Sequence, residues 1–473
     1  MARLASFALL LSISLPNIGV AQQLVAAPLE LALPQEAPTG EVVPAVATAP
    51  VTTVPTKTPE PDNARIIRQL ARAGGGDPAA LAHLIQLSAE FDSALKAELI
   101  DELGAAHMRA GNLDLAAEAR RVLIERLPDE TRATQAALWL VRLYSSSEVA
   151  YAREQRLSAS TDPARQFSLA PGKVVREGAA QEEPSGETGS KNTMAEYALH
   201  QATLATTARP ELNDEPALAF QRSVAARLSG DFKKSQGFLS PVRHRRPGDV
   251  WGDCARMESW LQDGADRPAP KPVLACPVAP RPPRLDGKLN KLFWNIEQAT
   301  AWLNDPTAPA PNELERSQVQ LAHDSEFLYM AIICRKTSGV VYERDQRPRE
   351  HDADLQASDR VRLLLDVDRD YASWFELAVD SSGRTVDRAW DDAGWNPQWF
   401  VAAADGFDES GETWIVEAAI PWSALAAQPP TSGEVWACAF ERTAPGGKSQ
   451  SWTGPVAADS SPGAECFGVI RFE

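Results

Sequence analysis

A chain of 473 residues with 44% hydrophobic content can bury more than one core, so two or three packed units are expected. Its 64 acidic residues against 47 basic ones leave a formal charge of −17, which argues against a nucleic-acid partner, because phosphate backbones are bound by clustered Lys and Arg. His244-Arg245-Arg246 is a short basic knot that reads as a solvated helix end.

The first 21 residues have the pattern of a secretory signal. Arg3 is the positive start, Leu4 to Leu15 is the apolar run, Pro16 breaks it, and Gly19-Val20-Ala21 sets small residues before a cut after Ala21. The run is shorter than the roughly 20 residues that span a bilayer, and no later segment reaches that length. An exported protein without a membrane span is expected: periplasmic, cell-surface or extracellular. No Cys lies near the cut, so no lipid anchor is expected.

Residues 22–61, made of Ala, Val, Pro, Thr and Glu without a period, are expected to form a disordered tether. From 62 to 265 apolar residues recur at helical spacing. Leu103-Gly104, His107, Gly111, Ala116 and Pro128 resemble the tetratricopeptide pattern: small residues let two helices approach, Gly111 turns the chain, and Pro128 ends the second helix. A weaker copy places Gly230 and Pro247 at the same separation. Further helices are predicted over 131–156 and 193–208, with a disordered Gly/Ser/Glu/Pro loop near 170–192. An unrelated helical bundle is the alternative.

A Pro-rich linker is predicted over 266–283, and strands follow over Phe327–Ile333, Arg360–Val367, Trp374–Val379, Trp414–Ile420, Val435–Phe440 and Val469–Phe472, by alternation and by β-branched or aromatic content. Ser381-Ser382-Gly383 and Ser410-Gly411 punctuate them. The expected fold is therefore a multidomain chain, an α-helical repeat region followed by a C-terminal antiparallel β-sandwich.

Five pieces recur in order: Leu285-Asp286-Gly287 leading to Phe293-Trp294, then Leu321 to Tyr329, Asp359 to Asp366, Trp414 to Trp422, and Phe467 to Phe472. Over residues 273–473 this series resembles the family 9 carbohydrate-binding modules, β-sandwich domains of the DOMON type. The resemblance implies a polysaccharide or oligosaccharide ligand, a non-catalytic role accessory to carbohydrate catabolism, and often structural Ca²⁺. It also implies two aromatic side chains clamping a terminal sugar, one before the Asp-x-Val strand and one before the final strand. Those neighbourhoods hold Leu355-Gln356-Ala357 and Ser460-Ser461-Pro462, without a Trp.

Sugars offer C–H faces to flat aromatic rings and hydroxyl rims to polar groups. Ten of the 13 Trp fall between Trp294 and Trp452. Trp294 and Trp422 sit in apolar motifs and read as core, whereas Trp390, Trp395 and Trp399 are either a ligand platform or a cluster that locks a loop. With the clamp missing, these three and Trp452 are the candidate sugar contacts. Trp374 and Phe375 alternate, so one should face away from the core. Glu417 accepts sugar hydroxyls or pairs with Arg442 or Arg360 across the sheet, which adds Glu417 and Arg442 to the candidates. Asp366, Asp368 and Asp370 alternate at a strand end, where hard oxygen donors gather on Ca²⁺; the bland alternative is a solvated turn.

Five Cys in an exported chain permit disulfides, and a Cys254–Cys276 bridge would pin the linker. No nucleophile elbow, His-Glu-x-x-His or Cys/His metal spacing is present, so no enzyme and no organic cofactor is expected. Two other readings remain: a scaffold whose β domain no longer binds sugar and contacts a protein partner, as the helical repeats also would, or a haem-binding electron-transfer domain using Met330 with His323 or His351.

Overall fold

The computed structural model describes residues 63–159, 187–263, 267–289, 293–294, 300–308, 316–342, 352–408, 411–446, 449–454 and 462–473. The expected signal sequence and the expected tether lie outside these residues, as does the expected loop up to residue 186. The described residues from 63 onward belong to one compact unit.

Its first half is helical: α1 (Ala64–Ala73), α2 (Ala80–Leu87), α3 (Ser93–Arg109), α4 (Leu113–Arg126), α5 (Thr131–Ser145), α6 (Ser147–Ala159), α7 (Glu187–Ala208), α8 (Pro216–Leu228), α9 (Phe232–Arg243) and α10 (Val250–Asp263). Helix α7 thus begins inside the segment expected as loop. Asp92 starts α3 by accepting the Leu95 amide at 2.8 Å, satisfying one of the donors that a helix start leaves open. Gly111 and Gly230 turn the chain between α3 and α4 and between α8 and α9 at φ of +72° and +84°, where a side chain would be strained. Leu103, Ala119 and Leu123 fill the α3–α4 contact. Among the described residues no helix is long and apolar enough to cross a membrane.

The second half has two antiparallel-rich sheets. Its strands are β1 (Val273–Cys276), β2 (Thr300–Leu303), β3 (Ser317–His323), β4 (Phe327–Arg335), β5 (Arg360–Asp366), β6 (Phe375–Asp380), β7 (Thr385–Ala389), β8 (Phe400–Asp408), β9 (Gly411–Pro421), β10 (Val435–Thr443), β11 (Gln450–Ser451) and β12 (Gly468–Phe472); a short helix, α11 (Trp422–Leu425), follows β9. One sheet runs β1-β12-β10-β5-β6-β7 with β11 on β10, and the other runs β2-β3-β4-β9-β8. The stretch expected as linker contributes β1, which pairs in parallel with β12 from Val273↔Val469 to Cys276↔Phe472.

Leu321, Met330, Ile332 and Val416 of the second sheet share a core with Leu363, Leu365, Phe375 and Phe440 of the first. The far side of the first sheet is covered too. Leu364, Trp374, Ala437 and Ala439 pack against Phe220 and Val224 of α8, Leu239 and Val242 of α9, and Cys254 and Ala255 of α10. A strand apolar on both faces reads as a continuous run, which accounts for Leu363-Leu364-Leu365. It also corrects the expectation that either Trp374 or Phe375 faces away: both are buried, on opposite sides.

The five cysteines are free and buried. Cys254 lies on the helical side of the first sheet and Cys276 on the side between the sheets, so the expected Cys254–Cys276 bridge is corrected: the two thiols belong to different cores. Burial pushes the Cys254 thiol up to about 12, so it is not a thiolate nucleophile. Met330 is fully buried between the sheets, and the His323 ring packs edge-on to Phe472 at 5.4 Å and Trp422 at 6.2 Å, so both are core residues rather than an axial pair. His351 lies outside the described residues.

Candidate functional site

The tryptophan connection between β7 and β8 joins the two halves of the unit. Trp390, half-buried at φ +53°, stacks on Trp139 of α5 with centroids 5.5 Å apart. Trp395 is buried against Phe375 at 4.6 Å, and its Nε1 donates to Gln155 Oε1 of α6 at 3.3 Å. Trp399, also buried, donates to Asp387 Oδ2 of β7 at 3.2 Å. Trp395 and Trp399 are too enclosed to offer an open face to a sugar, and Trp390, half-buried, has one face against Trp139, so the geometry favours the locking cluster. Trp452 covers Gly468, where a Cβ would lie 2.6 Å from the indole, and meets Phe440 edge-on at 5.7 Å.

Glu417 and Arg442 do not meet, and neither pairs as expected. Glu417, 1% exposed, accepts the Trp294 Nε1 at 3.0 Å and the amides of Gly287 at 2.9 Å and Asp286 at 3.1 Å. It thereby anchors the Leu285-Asp286-Gly287 motif over the outer face of the second sheet, where Phe293 and Trp294 pack on Tyr329, Ala331 and Ala419. Gly287 is required twice over: its φ is +72°, and a Cβ would sit 2.5 Å from that of Ala404. Burial raises the Glu417 carboxyl, and the three donors oppose this. Arg442 forms a forked pair with Asp359, at 2.9 Å to Oδ1 and 2.6 Å to Oδ2, and donates to Ser317 Oγ of β3 at 3.0 Å. Trp414 Nε1 and the Tyr342 hydroxyl also donate to Asp359, at 3.1 and 2.6 Å, so this buried network ties one sheet to the other.

Asp366, Asp368 and Asp370 are brought together, and all are buried. Arg369 and Tyr371, at φ of +56° and +54°, coil the chain after β5 so that successive carboxylates turn inward. Asp366 accepts the amides of Asp370 at 3.1 Å and Tyr371 at 2.7 Å; Asp370 accepts those of Ala372 at 2.6 Å and Ser373 at 2.7 Å. Sequence reasoning missed a further carboxylate, Glu148 at the start of α6, which is fully buried and accepts the Val367 amide at 2.5 Å. Glu148, Asp366 and Asp368 each offer an oxygen within 4.8 Å of the others. Asp368 Oδ2 accepts the Ser147 amide at 2.7 Å, whereas Oδ1 is buried without a hydrogen-bond partner. Burial first, then mutual repulsion, pushes Glu148 and Asp366 well above the usual carboxylate range and Asp370 up to about 7. An all-oxygen anionic donor set with an orphaned oxygen fits a hard cation such as Ca²⁺.

A second polar group lies on the outer face of the first sheet, on the β5 strand beyond the helix-covered Leu364. There Arg362 Nε donates to Glu441 Oε2 at 2.8 Å, and Nη1 is 3.6 Å from Glu376 Oε1. Glu441 is 1% exposed and keeps Oε1 unpartnered. Leu355 packs beside this group against Ala378 and Val386. Alternation in Arg360-Val361-Arg362 was the available signal, since it sets both arginines on one face.

No protein-family model matches the chain. No curated protein matches it either. Among solved structures, it is similar to a family 9 carbohydrate-binding module from Caldicellulosiruptor kristjanssonii in complex with glucose, at 16% identity over 42% of this chain and 95% of that one, with a TM-score of 0.29. It is also similar to a putative carbohydrate-binding protein from Bacteroides uniformis, at 14% identity over 43% of this chain and 100% of that one, with a TM-score of 0.33.

Proposed function

We propose that the protein is an exported, non-catalytic carbohydrate-binding protein. In this reading the C-terminal half is a family 9-like β-sandwich, and the N-terminal half is a stack of tetratricopeptide-like helix pairs open to a protein partner. The observation that carries the reading is the Arg362 guanidinium set between Glu441 and Glu376, with Glu441 Oε1 buried and unpartnered. The group lies beside Leu355, the neighbourhood where the resemblance expects the first clamp aromatic. Arg362 and Glu376, both partly exposed, present a donor and an acceptor to neighbouring hydroxyls of a sugar ring, while the buried Glu441 holds the guanidinium from beneath. Leu355 in place of an aromatic supplies apolar contact without a stacking face, so weak affinity for one terminal sugar is expected.

The test is a glycan array with the full chain, followed by calorimetry on any sugar found. Glu441→Gln and Arg362→Ala are expected to weaken binding by about tenfold or more, roughly 1.4 kcal/mol per tenfold, whereas Trp395→Ala lowers the melting temperature without a selective loss of affinity. A blank array from folded protein would overturn sugar binding and favour the interaction scaffold, a reading that the enclosure of Trp395 and Trp399 already supports.

A further inference from the structure

We infer that a hard divalent cation of the Ca²⁺ class joins the helical half to the sheets, with Glu148 of α6 as a ligand alongside Asp366 and Asp368 of the turn after β5. The inference does not rest on sugar binding. It starts from charge. Glu148, Asp366, Asp368 and Asp370 are all buried, and among the described residues no ion pair ends on any of them. The neighbouring guanidiniums pair with Glu258, Arg369 Nε donating to Oε1 at 2.9 Å and Arg227 Nη1 to Oε2 at 2.5 Å; Arg227 Nη2 also donates to the Asp368 backbone carbonyl, and both cations favour the ionised Asp368 from a distance. Two guanidiniums shared with Glu258 do not balance four further buried carboxylates, and an excess of buried negative charge is strongly unfavourable, so the group needs either shared protons or a cation.

Geometry favours the cation. Three oxygens, one from each of Glu148, Asp366 and Asp368, converge within 4.8 Å of one another, a span that one ion contacting oxygens at about 2.4 Å can bridge. The Asp368 Oδ1 atom is buried and has no hydrogen-bond partner. A cation would use the lone pair of that oxygen directly, whereas a proton shared between Glu148 and Asp366 would leave it unsatisfied. The other carboxylate oxygens are held by backbone amides or hydroxyls, Ser146 and Ser373 both donating to Glu148 Oε2 at 3.1 and 3.3 Å, and this arrangement fixes their directions before an ion arrives.

The full chain, stripped with chelator, is titrated with CaCl2 by calorimetry and melted in CaCl2 or EDTA, and untreated protein is weighed by native mass spectrometry. Saturable binding, a higher melting temperature in CaCl2, and at least a tenfold loss of affinity in both Asp368→Asn and Glu148→Gln are expected. Identical melting in the two buffers, with no metal on the untreated protein, would overturn the inference in favour of shared protons. Unchanged affinity in Glu148→Gln would overturn the link between halves, leaving a cation on the aspartate turn alone. If either variant fails to fold, hydrogen exchange on the wild type decides. EDTA should accelerate exchange at both the start of α6 and residues 366–373; acceleration confined to the latter, or none, overturns the link.

Discussion

Replacing Glu417 by Ala separates a structural carboxylate from a sugar ligand. The side chain accepts three donors, and two of these bonds, from Gly287 N and Trp294 Nε1, are buried. Each orphaned buried donor costs about 1–3 kcal/mol, and the third, Asp286 N, is partly buried and recovers some of its loss from water. The substitution should therefore destabilise by about 3–6 kcal/mol, a large share of the roughly 5–15 kcal/mol that holds a typical protein folded. The loss should first appear locally, as the Leu285-to-Trp294 cover lifts from Tyr329 and Ala419. Urea denaturation followed by tryptophan fluorescence measures the global effect, and hydrogen exchange at the Asp286 and Gly287 amides measures the local one. Glu417→Gln keeps one acceptor oxygen but turns an amide toward donors, so it should fall between wild type and Glu417→Ala. A midpoint within about 0.5 kcal/mol of wild type together with unchanged exchange at both amides would refute the anchoring argument. Loss of sugar affinity at unchanged stability would restore Glu417 as a ligand.

Gly287→Ala should destabilise by at least about 2 kcal/mol, since the left-handed backbone alone costs an L-residue about 1–2 kcal/mol and the new Cβ would lie 2.5 Å from that of Ala404; a melting curve matching wild type would contradict this. Asp387 predicts a pH effect. Its carboxyl is raised from 3.8 to about 7, by burial first and then by Asp352, against the donor from Trp399. The folded protein thus holds this proton more tightly than the unfolded chain, so the contribution is fully present below pH about 4, is lost as pH rises to about 7, and is flat above; the loss is at most about 4 kcal/mol. Asp387→Asn keeps an acceptor for Trp399 Nε1 and cannot ionise, so its stability relative to wild type should rise between pH 4 and 7; a constant difference across that range, measured by urea denaturation, would count against the assignment.

The strands legible in the sequence are those with one apolar face and clear punctuation, such as Gly411–Pro421, where Trp414, Val416, Ala418 and Ile420 alternate inward. Strands β7 and β8 were missed for opposite reasons. Thr385-Val386-Asp387-Arg388-Ala389 carries two charged residues, one of them the buried Asp387, and Phe400-Val401-Ala402-Ala403-Ala404 is dominated by small residues without β-preference. For the tryptophan connection, composition could not separate platform from lock. What decides is what stands opposite each ring, and for Trp390 and Trp395 those partners are Trp139 and Gln155, from helices more than 200 residues earlier.

The carboxylate cluster carries the same lesson about long-range placement. Asp366, Asp368 and Asp370 are visible as a local motif, but as such they describe an exposed turn as readily as a metal site. Burial turns the motif into a site, and burial comes from elsewhere: α6 sets Glu148 against the Val367 amide 219 positions away, while α8, α9 and α10 cover the sheet face beside it. The helical half is therefore part of what gives the aspartates their chemistry. Cutting the chain in the Pro-rich stretch would uncover Leu364, Trp374, Ala437 and Ala439 and leave the three aspartates in water, where their carboxyl groups ionise freely and bind a cation only weakly. A truncated β half that failed to bind Ca²⁺ would thus say nothing against the site, whereas the full chain would.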